Sequence, residues 1–114
     1  METIKSSSDI SFLFANGKRL KTPYVTLIIG EQDPARHGPL GRVAFIAGKK
    51  SGNAVWRNRA KRRMRAICRE LDGPWPRRDV IFLAKPNVTE ATYSKVLKAC
   101  TKALDRLKDK SEKE

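Results

Sequence analysis

Residues 49–69, KKSGNAVWRNRAKRRMRAICR, carry nine basic side chains and no acid. No carboxylate occurs anywhere between Asp33 and Glu70. At about 100° per residue, helical geometry places Trp56, Ala60, Met64, Ile67 and Leu71 on one narrow face. Lys61, Arg62, Arg65 and Arg69 gather with Asn58 on the opposite side, and Arg57 sits at the border. The segment therefore reads as an amphipathic helix with an apolar seam and a cationic outer face. Asn53 suits its N-cap, Gly52 lets the chain turn into it, and Gly73-Pro74 ends it. Arg57–Lys61, Lys61–Arg65 and Arg65–Arg69 are like-charge i,i+4 neighbours, each costing roughly 0.2–0.5 kcal/mol in an isolated helix. Cations are also misplaced near the positive helix N-terminus. The face works against its own helix until a polyanion neutralises it.

The 114 residues suit a single small domain, residues 1–114, with a polar tail over about 109–114 expected to fray. A hydrophobic content of 39% with clear periodicity argues for a globular fold. A net charge of +13 and a pI near 10.3 point to nucleic acid first, an anionic membrane second and acidic proteins third. The longest apolar run, residues 24–30, has the length of a strand and contains Thr26, so no membrane span is expected. The opening METIKSSSDI lacks a secretory apolar core, which points to the cytoplasm. Cys68 and Cys100 fall in predicted helices without metal-ligand spacing and read as reduced, partly buried thiols.

Outside the basic block, Ser8 or Asp9 suits the cap of a short helix through Asn16, ended by Gly17 in a left-handed position. Ile10, Leu13 and Phe14 share one side of that helix, and Phe12 lies elsewhere. Lys18, Arg19 and Lys21 read as a basic loop before Pro23. Residues 24–29 read as a strand rich in β-branched side chains, 31–41 as a turn-rich polar connection, and 42–47 as a second strand. After the basic helix, residues 79–84 form a third strand, broken by Lys85-Pro86. A last helix starts near Asn87 or Thr89 and runs to about Lys108, with Tyr93, Val96, Leu97, Cys100, Leu104 and Leu107 on its seam. The order α-β-β-α-β-α implies an α+β sandwich of helices packed on one sheet.

Catalytic machinery is not legible. His37 stands in a Pro/Gly loop without a partner motif and reads as an incidental exposed residue. There is no phosphate-binding glycine loop, nucleophile elbow, paired-cysteine metal site or HExxH. No nucleophile or acid/base pair with an orienting partner assembles, so no catalytic and no metal-ligating residue is assigned. The polypeptide reads as a binder.

Residues 45–62, FIAGKKSGNAVWRNRAKR, resemble the signature of the bacterial ribonuclease P protein subunit: a strand followed by KK-x-GNAV-x-RNR-x-KR. The match covers about a sixth of the chain, and a random basic helix would not reproduce both halves in register. Farther out it thins to Lys85-Pro86 after the last strand and the Ile10, Phe14, Gly17 spacing near the start. The resemblance implies an αβββαβα-like order with a left-handed βαβ crossover through the basic helix, the fold of the second domain of a small-subunit ribosomal protein. Handedness statistics alone would favour the right-handed connection. It also implies an accessory subunit of a ribonucleoprotein endoribonuclease, whose catalytic RNA, with its Mg²⁺ ions, removes the 5′ leader of precursor tRNA. Partners would be that RNA and the leader, with one protein per RNA and no membrane.

Carried across by position, the resemblance assigns Arg57, Asn58, Arg59, Lys61, Arg62 and Arg65 to contacts with catalytic RNA or leader. Lys49, Lys50 and Asn53 match the preceding loop, where a helix N-terminus and two lysines favour phosphate. Ile10 and Phe14 match first-helix positions lining a cleft for the single-stranded leader. Ile28 is the mid-strand position expected to face that cleft, with Tyr24 and Thr26 as further candidates. Such a cleft would set a stacking platform beside a cationic wall. The chain departs from the family pattern at Ile10, usually Phe, at Ile28, often aromatic, and at Gly48, usually Ser; only Lys5 remains of a basic extension before the first helix.

Read as residues alone, Arg63 and Arg69 suit plain solvated charges equally well, Trp56 either core or a stacking surface, and Phe14 either cleft or anchor. The competing function is a ribosomal or general structural RNA-binding protein. A DNA-binding module is disfavoured, because no helix-turn-helix partner or dimer seam accompanies the basic helix.

Overall fold

The computed structural model describes residues 3–31 and 41–112, with side-chain surroundings through Leu107. The elements run α1 (Ser7–Asn16), β1 (Lys18–Lys21), β2 (Val25–Glu31), β3 (Arg42–Ile46), α2 (Ala54–Glu70), β4 (Arg78–Ala84) and α3 (Tyr93–Glu112). His37 and most of the turn-rich connection lie outside the described residues. The sheet order is β1-β2-β4-β3. β2 pairs antiparallel with β1 and β4, and β3 runs parallel to β4. The parallel pair is bridged by α2, a crossover between adjacent strands.

Alternation along the strands sorts the core into two layers. Val25, Leu27 and Ile29 of β2, Val43 of β3, and Val80 and Phe82 of β4 face α2 and α3. Against them pack Ala60, Met64, Ile67 and Cys68 of α2, with Val96, Cys100 and Ala103 of α3. The opposite face offers Ile28, Ala44 and Ile81, which Leu13 of α1 and Ile4 cover. The predicted seam of the basic helix is thus the core seam: Ala60, Met64 and Ile67 are wholly buried, and Trp56 and Leu71 pack at its ends.

Four expectations change. Lys18, Arg19 and Lys21 belong to an edge strand, not the loop their own pattern suggests, which gives the seven-element αβββαβα order that the resemblance implies. Lys-Arg-Leu-Lys shows no apolar alternation, and only pairing with β2 makes it a strand. The cap of α1 is Ser6, whose Oγ accepts from the Asp9 N–H at 3.4 Å. Gly17 ends α1 in extended, not left-handed, geometry at φ −71°. A Cβ there would lie 2.7 Å from Ile28 Cγ2, so the glycine serves close approach to the sheet. Finally, the last helix begins at Tyr93 after a short 3₁₀ turn, Pro86–Thr89, and extends beyond Lys108 to Glu112.

The end of α2 also differs from the Gly73-Pro74 stop. The Gly73 N–H bonds Cys68 O at 2.9 Å and the Asp72 N–H bonds Arg69 O at 3.1 Å. These paired bonds place Asp72 in the left-handed position, at φ 63°. A carboxylate there also meets the negative end of the helix dipole. Asp72→Gly should therefore stabilise the fold by about 0.5–1 kcal/mol, read from urea melts at an unchanged m-value. Burial pushes the Cys68 and Cys100 thiols up to about 11. At pH 8 both should resist iodoacetamide in the native protein and react only on unfolding, a difference visible by mass spectrometry.

Candidate nucleic-acid interface

The basic surface starts where β3 ends. Lys49–Ser51 make one 3₁₀ turn, and Asn53 caps α2 by accepting the Trp56 N–H on Oδ1 at 2.9 Å. Gly52 is extended, and a Cβ on it would sit 2.7 Å from the Trp56 ring, so the indole lies flat against this turn. Trp56 Nε1–H donates to Pro86 O at 3.2 Å, tying the start of α2 to the turn after β4. With one side on Gly52 and its edge so bonded, the indole is a brace and not an open stacking surface.

Arg63 is also structural. Its Nη1 donates to Val88 O at 2.9 Å and to Ala91 O, clasping α2 to the segment before α3. It therefore leaves the outer basic surface. Arg65 stays exposed while its guanidinium carbon stands 5.6 Å from the Phe45 ring centroid, which orients it over β3. Lys49, Lys50, Asn53, Asn58, Arg59 and Arg62 are exposed; Arg57 and Lys61 are half-buried along their stems. Among the described residues, no carboxylate forms an ion pair with the lysines and arginines of this surface. The cations are held as a shaped field, whose like-charge repulsion a polyanion would relieve.

The other sheet face carries the second candidate surface. Asp9, at one end of α1, meets Arg42 of β3 at 3.3 Å, while Gly17 at the other end abuts Ile28 of β2. The helix therefore lies across the strands. Arg42 also grips Asp79 of β4 in a two-pronged pair, with Nε–Oδ1 3.0 Å and Nη2–Oδ2 2.6 Å. Ile10 and Phe14 project half-buried along one flank of α1. Next to them runs a row of paired residues, Thr26 of β2, Leu83 of β4 and Ile46 of β3. Leu83 and Ile46 are half-buried members of that layer, and Thr26 is 6% exposed.

Of the five cleft candidates, Ile10 and Phe14 line this shallow groove half-buried, and Thr26 faces it from β2 but is itself buried. Ile28 faces the same way but is wholly buried beneath α1, leaving it no surface for a ligand. Tyr24 is corrected to the opposite layer, where it packs against the main core. Sequence reading missed Ile46 and Leu83, because strand parity names a face only once the pairing register is known. A cavity of about 220 Å³ between Leu71, Trp75, Val80 and Leu104 is lined by three carboxylates, Glu70, Asp72 and Asp105, against one cation, Arg78, a poor balance for phosphate. The described residues contain no group of three or more His, Cys, Asp or Glu suited to a metal. Nor is any described helix long and apolar enough to cross a membrane.

Known proteins give the same picture. The Ribonuclease P family model matches residues 1–108. A ribonuclease P protein component from Nitratiruptor sp. is 31% identical over 109 residues, covering 95% of this chain and 94% of that protein. The one from Natranaerobius thermophilus is 34% identical over 111 residues, covering 96% and 89%. In fold, the chain is similar to the RNase P protein of Staphylococcus aureus, with a TM-score of 0.77 at 20% identity over 95% of this chain and 96% of that one. The Thermotoga maritima RNase P protein gives 0.75 at 21% identity, covering 93% and 97%. A cationic helix behind the KK-x-GNAV turn, an α+β sandwich and a family match over nearly the full length converge: the chain belongs to the ribonuclease P protein family.

Proposed function

We propose that this chain, as the protein subunit of ribonuclease P, presses the α2 surface against the catalytic RNA and holds the 5′ leader of precursor tRNA in the groove beside α1. The carrying observation is that both surfaces meet at one end of the sheet. Ile46 closes the groove row on β3, and the chain passes from it through Ala47 and Gly48 to Lys49, Lys50 and the capped start of α2. A single strand in the groove would thus pass directly toward the phosphate-binding turn. Ile10, Phe14, Ile46 and Leu83 give a flank and floor of apolar contact without a base-reading donor set, which suits sequence-tolerant binding.

In this reading, Lys49, Lys50, Asn53, Arg57, Asn58, Arg59, Lys61, Arg62 and Arg65 orient RNA, and bond cleavage belongs to the RNA subunit, which carries the Mg²⁺ ions. The protein's contribution is charge neutralisation and position: it lets two polyanions approach and holds the leader relative to the cleavage site. One protein per RNA, acting in the cytoplasm, completes the reading.

Added to bacterial ribonuclease P RNA and precursor tRNA at low Mg²⁺, the purified protein should raise cleavage and tighten substrate binding. A general RNA-binding protein would instead bind mature and precursor tRNA equally, which would remove the proposal. On single-stranded RNA, neutralising roughly six phosphates gives a log–log salt slope of about −4. Arg57→Ala and Arg62→Ala should each flatten that slope by about 0.7 where the side chain meets phosphate. Titrations at four salt concentrations measure this, and an unchanged slope in both variants would take them off the phosphate-contact surface.

A further inference from the structure

We propose that Arg19 and Lys21, on edge strand β1, form a second phosphate-binding pole for the leader, at the far end of the groove from Lys49 and Lys50. The inference rests on the leader reading above and adds to it a direction and an end point. Register carries it. Lys21 pairs with Thr26, Thr26 with Leu83, and Leu83 with Ile46, so one row crosses all four strands on the face that α1 leaves partly open. Directly paired residues point to the same face, which puts the Lys21 ammonium at the β1 end of the groove floor. Three strand spacings separate that end from Ile46, about 14 Å.

Arg19 belongs to the next row on the same face, paired with Ile28. Its Nη2 donates to Phe14 O at 2.9 Å and its guanidinium carbon lies 5.5 Å from the Phe14 ring centroid. That bond uses one of five N–H donors and fixes the plane of the fork, leaving the rest turned to solvent. Both side chains are exposed, and neither forms an ion pair among the described residues. The groove then has an apolar middle, from Phe14 and Ile10 to Leu83 and Ile46, with cations at each end. A chain that alternates stackable bases with regularly spaced phosphates matches that pattern. Lys18, on the same strand, pairs with Ile29 and so points to the opposite face. It supplies a control for the loss of one β1 cation from the other face.

The experiment uses holoenzyme reconstituted with catalytic RNA, mature tRNA and precursor tRNAs whose leader is trimmed one nucleotide at a time. The Arg19→Ala/Lys21→Ala protein should bind long-leader substrates more weakly, with the salt slope reduced by about 0.7 per side chain. The deficit should vanish below the leader length that reaches β1, and Lys18→Ala should show no length-dependent deficit. Lys21→Glu leaves the Arg19 bond to Phe14 in place and should give a larger loss with the same length threshold. An equal deficit at every length and on mature tRNA, or no deficit at all, would overturn the inference while leaving the leader reading intact. A wild-type holoenzyme that binds precursor no better than mature tRNA would remove both.

Discussion

Everything in this molecule depends on where the seam of α2 is buried. Ala60, Met64, Ile67 and Cys68 lose all contact with water against the Val80 and Phe82 face of the sheet. Side chains of this size each gain on the order of 1–3 kcal/mol on full burial. That gain outweighs like-charge repulsion of a few tenths of a kcal/mol per neighbouring pair along the outer face. The helix is therefore held by the sheet despite its charge, and among the described residues no carboxylate neutralises the cations of its outer face. A surface that carries uncompensated charge in the folded state has binding free energy in reserve for an anion.

The sites that fasten α2 show how the display is kept rigid. The Asn53 cap closes the start of the helix, and the Trp56 indole bonded to Pro86 and the Arg63 clasp on Val88 and Ala91 secure its first two-thirds to the chain following β4. One arginine of the block is thus spent on structure so that the others stand in fixed relation. On the other face, α1 is docked by Leu13, the close approach at Gly17 and the Asp9–Arg42–Asp79 cluster. Those charged side chains are at most 15% exposed. Removing one partner of so enclosed a pair typically costs about 3–5 kcal/mol, so the cluster sets the angle of α1 firmly. That angle, in turn, fixes how much of the sheet face remains open beside Ile10 and Phe14.

The two-surface arrangement gives the protein a division of labour. A polyanion on α2 and a single strand across the opposite face would share the Lys49-Lys50 turn at the sheet end, where the strand register and the crossover bring them together. Neither surface needs a reacting group of its own. Under the proposed function, positioning two RNAs relative to each other would be enough to alter the rate of a reaction whose chemistry resides in one of them.

Much of this was legible in the residues. The amphipathic period of residues 54–70 determined the helix, its seam and its cationic face, because a strongly polarised helix has only one way to bury its apolar side. The KK-x-GNAV-x-RNR register carried the resemblance that the family match over residues 1–108 bears out, because a random basic helix would not hold both halves in register. What only the tertiary structure decided concerns pairing and partners across the chain. β1 is a strand solely because β2 offers it backbone bonds, since Lys-Arg-Leu-Lys has no strand pattern of its own. Arg63 became a clasp because two carbonyls from a distant turn lie within its reach. Tyr24 and Ile28 moved out of the groove because face and burial follow from register and from the helix laid above, neither of which a local pattern encodes.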